Sequence, residues 1–190
     1  MDSLALGFRL LVAVMFLTSF LEKIRNYNLH LFILKDYKII PHKLVNLFGA
    51  LDVIAQILIA LSFILGVWIY AGYVTSSILL FTYAIAISIN LLRGRNNISC
   101  GCGGLVGNHQ ISWWLVFRNL LIVSMLILLC YLPNELGNSY YIFVGEYNRA
   151  YNITYFFTLI VTISILVFFY ISKQLWTYYK KITNHILNLR

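Results

Sequence analysis

Apolar residues run almost unbroken through five stretches, Ser3 to Leu21, Leu44 to Leu65, about Gly72 to Leu92, Ile111 to Leu132 and Thr154 to Trp176, while polar residues gather between them. At about 1.5 Å of rise per residue, stretches of this length cross a bilayer as helices. Hydrocarbon leaves no alternative partner for backbone polar groups, so the pattern predicts an all-α integral membrane protein of five spans. In the first gap, Glu22 to Lys43, basic residues alternate with Leu29, Phe32, Ile33 and Ile40, and Tyr27 and Tyr37 suit an aromatic belt, so an interfacial segment is predicted there. Pro41 is expected to end it before the second span. Gly66 breaks the second run, and Tyr70 to Tyr73 are predicted to form a tight connection to the third. Ser112 is the predicted N-cap of the fourth. Pro133 to Asn152 reads as a simple exposed loop, and Tyr178 to Arg190 as a basic, aromatic tail on the membrane surface. The organisation expected is a four-span core over residues 1–132, with an interfacial segment at 22–43 and a polar loop at 93–110, followed by loop, fifth span and tail over 133–190.

Composition closes off the soluble classes. With 61% hydrophobic and 11% charged residues, the chain is no ordinary soluble domain. The net charge of +8 bears on topology and anionic lipid, and no basic, aromatic-interleaved soluble patch is present to grip nucleic acid. Asp2 precedes the first run, Arg9 lies inside it and no small-residue cleavage site follows, so that run is expected to remain as a span. Arg9 is near enough to the end of its span to be expected to snorkel to the headgroups.

Polar residues inside the spans carry the candidate chemistry. Asp52 lies well inside the second, with Gln56 one helical turn later on the same face. An unpaired carboxylate at that depth costs about 2.5–3.5 kcal/mol, so Asp52 calls for a cation, a polar cavity or a proton. Arg118, about 10 Å into the fourth span, reaches a depth similar to that of Asp52, about 12 Å into the second from the same face, and the two are expected to pair. Lys23, Asn90 and Arg93 close their spans on that face.

The loop on that face, Arg93 to Gly104 (RGRNNISCGCGG), holds two of the three cysteines. Cys100 and Cys102 are separated by one glycine. A disulfide across a single residue departs from relaxed geometry, and strain makes it easy to reduce; the same spacing also suits a soft metal, or carries no chemistry at all. Arg93, Arg95 and Arg118 are the cations expected to favour a thiolate. Cys130, about 28 Å along the fourth span, is out of reach of the pair and is expected to be a packed small hydrophobe.

Taken together, FLTSFLEK at 16–23, Tyr37 with Pro41, Asp52, LRG at 92–94, CGCGG at 100–104 and ISWWLVFRN at 111–119 resemble the methylamine utilisation protein MauE family, within the wider DoxX-like membrane proteins. The resemblance covers about residues 1–130. It departs where Asp52 stands for a more usual glutamate and where Gly103-Gly104 replaces an aromatic residue before glycine. It implies a DoxX-like four-helix bundle with a fifth helix added, and a role in maturation of the disulfide-rich small subunit of methylamine dehydrogenase. It implies a thioredoxin-like protein and an exported disulfide-containing client as partners, and Cys100, Cys102, Asp52, Arg118, Arg93 and Lys23 as site residues.

The leading expectation is a membrane component of thiol–disulfide exchange. The competing one is a small transporter or metal-handling protein in which Cys100, Cys102 and His109 hold a soft ion while Asp52 lines the path; a scaffolding subunit is the third. No quinone or flavin motif is recognisable, and no cofactor is expected. Eleven of the fourteen Lys and Arg residues fall on the side bearing Cys100, which the positive-inside rule assigns to the cytoplasm. Maturation of an exported protein places the same loop outside. These two readings of topology oppose each other.

Overall fold

The computed structural model describes residues 2–101, 110–132 and 135–187, apart from some side chains beyond residue 172. Five of its helices are long and apolar enough to cross a membrane. α1 (Asp2–Arg25) begins with an acidic residue and ends with Lys23 and Arg25, the charge order that a helix dipole favours. α2 (Tyr27–Asp36) is a short helix, and a single 3₁₀ turn (His42–Leu44) leads from it into α3 (Val45–Leu65). α4 (Ile69–Leu92) follows a turn over 66–68, so the tight connection lies earlier than Tyr70–Tyr73 and those residues already belong to the helix. α5 (Trp113–Tyr131) starts after Ser112, which occupies the N-cap in an extended conformation without a side-chain capping bond.

α1, α3, α4 and α5 share one core, in which Phe16, Ala60, Phe63, Tyr73, Leu80 and Leu126 are almost wholly buried. α3 lies along α1, and α5 lies along α4. The apolar residues on the remaining helix faces, such as Leu51, Ile54 and Leu58 of α3, are exposed by the protein itself and face lipid. α2 is more than an interfacial float. His30, Ile33 and Tyr37 recur at helical spacing and are all buried, against a second cluster of Ile87, Ile98, Cys100, Ile111 and Leu115.

The segment read as a simple exposed loop is exposed over residues 142–149, but its two ends are packed and make it a cap on the bundle. Its described part contains the one-turn helices α6 (Tyr140–Phe143) and α7 (Tyr147–Ala150), and Leu136 and Ala150 are buried. The Ser139 amide donates to the Gly66 carbonyl at 3.0 Å, and the Gly137 amide to the Ala150 carbonyl at 2.9 Å. The cap is locked to the bundle by Arg9. That side chain is 1% exposed and donates from Nη2 to the carbonyls of Leu136 (3.2 Å) and Gly137 (3.1 Å), so it does not snorkel. The carbonyls of an irregular segment satisfy it within the protein. α8 (Ile153–Leu187) packs on α1, with Thr158 and Thr162 buried beside Gly7. Its helix runs on to Leu187, into the stretch expected to form a surface tail. With five spans, the loop after α4 and the end of α8 lie on one membrane face.

Candidate functional site

The carboxylate that the bilayer makes expensive is the centre of a buried polar cluster. Asp52 is two turns into α3, and its side chain is 11% exposed. Its cation is Lys23, from the last turn of α1: Nζ lies 2.7 Å from Oδ2, and the lysine side chain is 6% exposed. The expected pair with Arg118 is therefore corrected. Equal depth placed the two at one level, but α3 packs against α1 while α5 packs against α4, so helix adjacency chose the lysine. Arg118 instead donates to Asn119 Oδ1 at 3.5 Å.

Three further groups complete the cluster. The Tyr83 hydroxyl of α4 donates a short hydrogen bond to Asp52 Oδ1. Gln56, fully buried, donates from Nε2 to Asp52 Oδ2 at 3.2 Å and to the Tyr83 oxygen at 2.8 Å. His30 of α2 brings Nε2 to 3.3 Å from Asp52 Oδ2. Lys23 also stands 5.2 Å from the centre of the Tyr83 ring. Four helices thus converge on one carboxylate, so most of its lone pairs are met by donors and the desolvation of the ion pair is offset. Neither His30 nor Tyr83 was among the residues singled out in the sequence.

Above the cluster lies a cavity of about 450 Å³ between α2, α3 and α4, with Lys23, His30, Asp52 and Tyr83 at one part of its wall and Cys100 and Gly101 at another. Cys100 is held there by local structure. Ser99 and Gln110 form an antiparallel bridge, and the Ile111 amide donates to the Ile98 carbonyl at 3.0 Å, which closes the base of the loop. The Tyr37 hydroxyl donates to the Cys100 carbonyl at 3.4 Å. Gly101 has φ +68, and a Cβ there would come within 3.0 Å of Ile33, so glycine is what lets the chain turn against α2. Cys102, Gly103, Gly104 and His109 lie outside the described residues. Arg93 and Arg95 do other work: Arg93 is exposed and donates to the Lys38 carbonyl at 3.5 Å, and Arg95 donates to the Asp36 carbonyl at 2.8 Å and pairs with its carboxylate at 3.4 Å. They fasten the end of α2 to the end of α4 and are not gathered around Asp52. Cys130 packs at the edge of the main core.

Fold and site together define a multi-pass, all-α membrane protein whose one deeply placed carboxylate is paired beside a cavity lined in part by Cys100. The chain belongs to the MauE family: the family profile described as "Methylamine utilisation protein MauE" matches residues 1–132. It is similar to the methylamine utilization protein MauE of Paracoccus denitrificans, 26% identical over 117 residues that cover 62% of this chain and 63% of that protein. The protein of the same name from Paracoccus versutus is 24% identical over the same shares. That of Methylorubrum extorquens is 26% identical over 111 residues, 58% of this chain and 60% of its own length. The matched part thus spans somewhat under two thirds of these relatives. No solved structure matches.

Proposed function

We propose that this chain is a membrane component of thiol–disulfide exchange supporting maturation of an exported disulfide-containing protein, with Cys100 and Cys102 as the exchanging pair. The observation that carries this reading is the place of Cys100, held on the wall of a cavity that also contains the buried Lys23–Asp52–His30–Tyr83 cluster. A thiol with no chemical task has no need of a costly charged cluster close by. The relatives are named for methylamine utilisation, and the resemblance points to a disulfide-rich enzyme subunit as client with a thioredoxin-like protein as intermediary.

The exchange runs through one mixed disulfide. A thiolate of one partner attacks a sulfur of the other's disulfide, one S–S bond forms as another breaks, and the departing sulfur takes a proton. The second thiol of the attacking pair then resolves the intermediate, so that two electrons and two protons pass from one dithiol to the other protein. In maturation the client side supplies the dithiol and the Cys100–Cys102 disulfide takes its electrons; Cys102 is the leaving sulfur, and its replacement removes the neighbouring thiol that would break the adduct in the reverse direction. The test is capture: a Cys102→Ser chain is expected to hold a thioredoxin-like partner through Cys100 in a reducible adduct, or Cys100→Ser through Cys102 if the roles are exchanged. If neither single variant captures a partner, and the doubly substituted chain still supports maturation of the client, the reading is overturned.

A further inference from the structure

A pair that oxidises client thiols must itself be re-oxidised, and the cavity beside Cys100 has the features of the place where that happens. Its walls are largely apolar, with Leu34, Ile40, Leu44, Phe48, Ala86 and Ile87 around it. Its volume of about 450 Å³ lies within the roughly 300–1,000 Å³ usual for small-molecule sites. It opens sideways: Leu44, at the entry to α3, and Phe48, on α3, both line it and are 41% and 45% exposed where the bundle faces lipid. The occupant therefore arrives from the bilayer. At the polar part of the wall, His30 is 6% exposed, and its Nε2 makes no hydrogen bond among the described residues although Asp52 is 3.3 Å away. In the Nε2–H tautomer its contact with Asp52 Oδ2 is weak, and an acceptor in the cavity competes for the same hydrogen. Lys23 Nζ spends one hydrogen on Asp52 and makes only a long contact, 3.4 Å, with the Tyr83 oxygen. Beside the cluster a crevice of about 20 Å³, lined by Glu22, Lys23, Asn26 and His30 among others, has room for about one water.

A ligand that suits all of this dissolves in lipid, presents an oxygen acceptor to two buried donors, and lies against a thiol. We propose that the cavity binds the head group of a membrane-soluble quinone, and that this quinone is the electron acceptor of the cysteine pair. The proposal rests on the thiol–disulfide reading of Cys100 and Cys102. The step balances without another reactant: two thiols lose two electrons and two protons and form an S–S bond, while the quinone gains two electrons and two protons and becomes the quinol. Lys23 and His30 hydrogen-bond the ring oxygen as negative charge builds on it, and Asp52 and Tyr83 position Lys23.

The full-length chain, purified in detergent, is reduced, freed of reductant without air, and mixed with a benzoquinone bearing a decyl chain. Quinone absorbance and remaining thiols are followed together. One quinol is expected for every two thiols lost. Thr82→Trp, which adds bulk to the cavity wall from an exposed position, is expected to slow the reaction at least tenfold. The same quinone is expected to raise the melting temperature of the chain lacking both thiols, because binding does not need them. Absence of both quinol and thermal shift overturns the inference, and the mixed-disulfide adduct of Cys102→Ser, if still captured, shows that the exchange reading survives it. A thermal shift without electron transfer overturns the acceptor role. Quinol formation that is equally fast without the cysteines also overturns it.

Discussion

Helix α1 buries two cations, Arg9 and Lys23, about 21 Å apart along its axis, and the protein treats them in opposite ways. Arg9 is answered by backbone carbonyls of the 135–152 cap, and the space around it is filled: a Cβ on Gly137 would lie 2.7 Å from Arg9 Nη2 and 2.8 Å from the Tyr155 ring. Lys23 is answered by a carboxylate, and its cluster borders open volume and a cysteine. A guanidinium offers five donors in a fixed plane and suits a permanent clamp, whereas an ammonium is a compact charge that can redirect its hydrogens. The difference teaches that one buried charge fastens a segment while the other is left bordering open volume, the arrangement that the proposed exchange calls for.

The sharpest way to break this comparison is to remove one member of the ion pair. Lys23→Met or Asp52→Leu alone leaves a buried charge without its partner and is expected to cost about 3–5 kcal/mol, read as lost thermal stability in detergent. The double substitution is expected to cost clearly less than the sum, and strictly additive losses would count against direct pairing. Arg9→Met comes next, at about 2–3 kcal/mol, because two carbonyls lose their donor and no second substitution restores one. Gly137→Ala is expected to cost about 1–3 kcal/mol, since φ is +64 and the cap must move off Arg9 and Tyr155. Faster protease cleavage within 135–152, with an unchanged Lys23–Asp52 coupling energy, is the signature that separates the two regions.

The spans were legible because lipid demands long apolar helices and the composition leaves no other class. Asp52 was legible for the same reason: a carboxylate within such a run requires a partner. Which partner was not, because depth follows from counting residues whereas adjacency is decided by how helices pack. His30 was hidden in a segment whose alternating charges suggested a surface float; its spacing to Ile33 and Tyr37, a buried stripe at helical period, was the signal available. Tyr83 looked like one more aromatic residue in an apolar run, and only its hydroxyl's target makes it part of the site. Arg9 was misread because the cap that answers it is irregular and far along the chain. The charge bias and the exchange reading still assign the Cys100 loop to opposite sides. A membrane-impermeant maleimide, with a tag after Arg190, is expected to find the loop and tail on one face; opposite accessibility would contradict five spans.

The claim that joins these observations is that the Lys23–Asp52 cluster acts on the cysteine pair and Arg9 does not. Equilibrium titration of the purified chain against glutathione redox buffers, with thiols counted by maleimide mass shift, tests it most directly. The account predicts one two-electron transition that vanishes in Cys102→Ser and stays in place in Cys130→Ala and Arg9→Met. In the Lys23→Met, Asp52→Leu chain it predicts a shift of at least about 30 mV, a tenfold change in the equilibrium constant. The absence of any two-electron transition, or an equal shift on replacing Arg9, would contradict it.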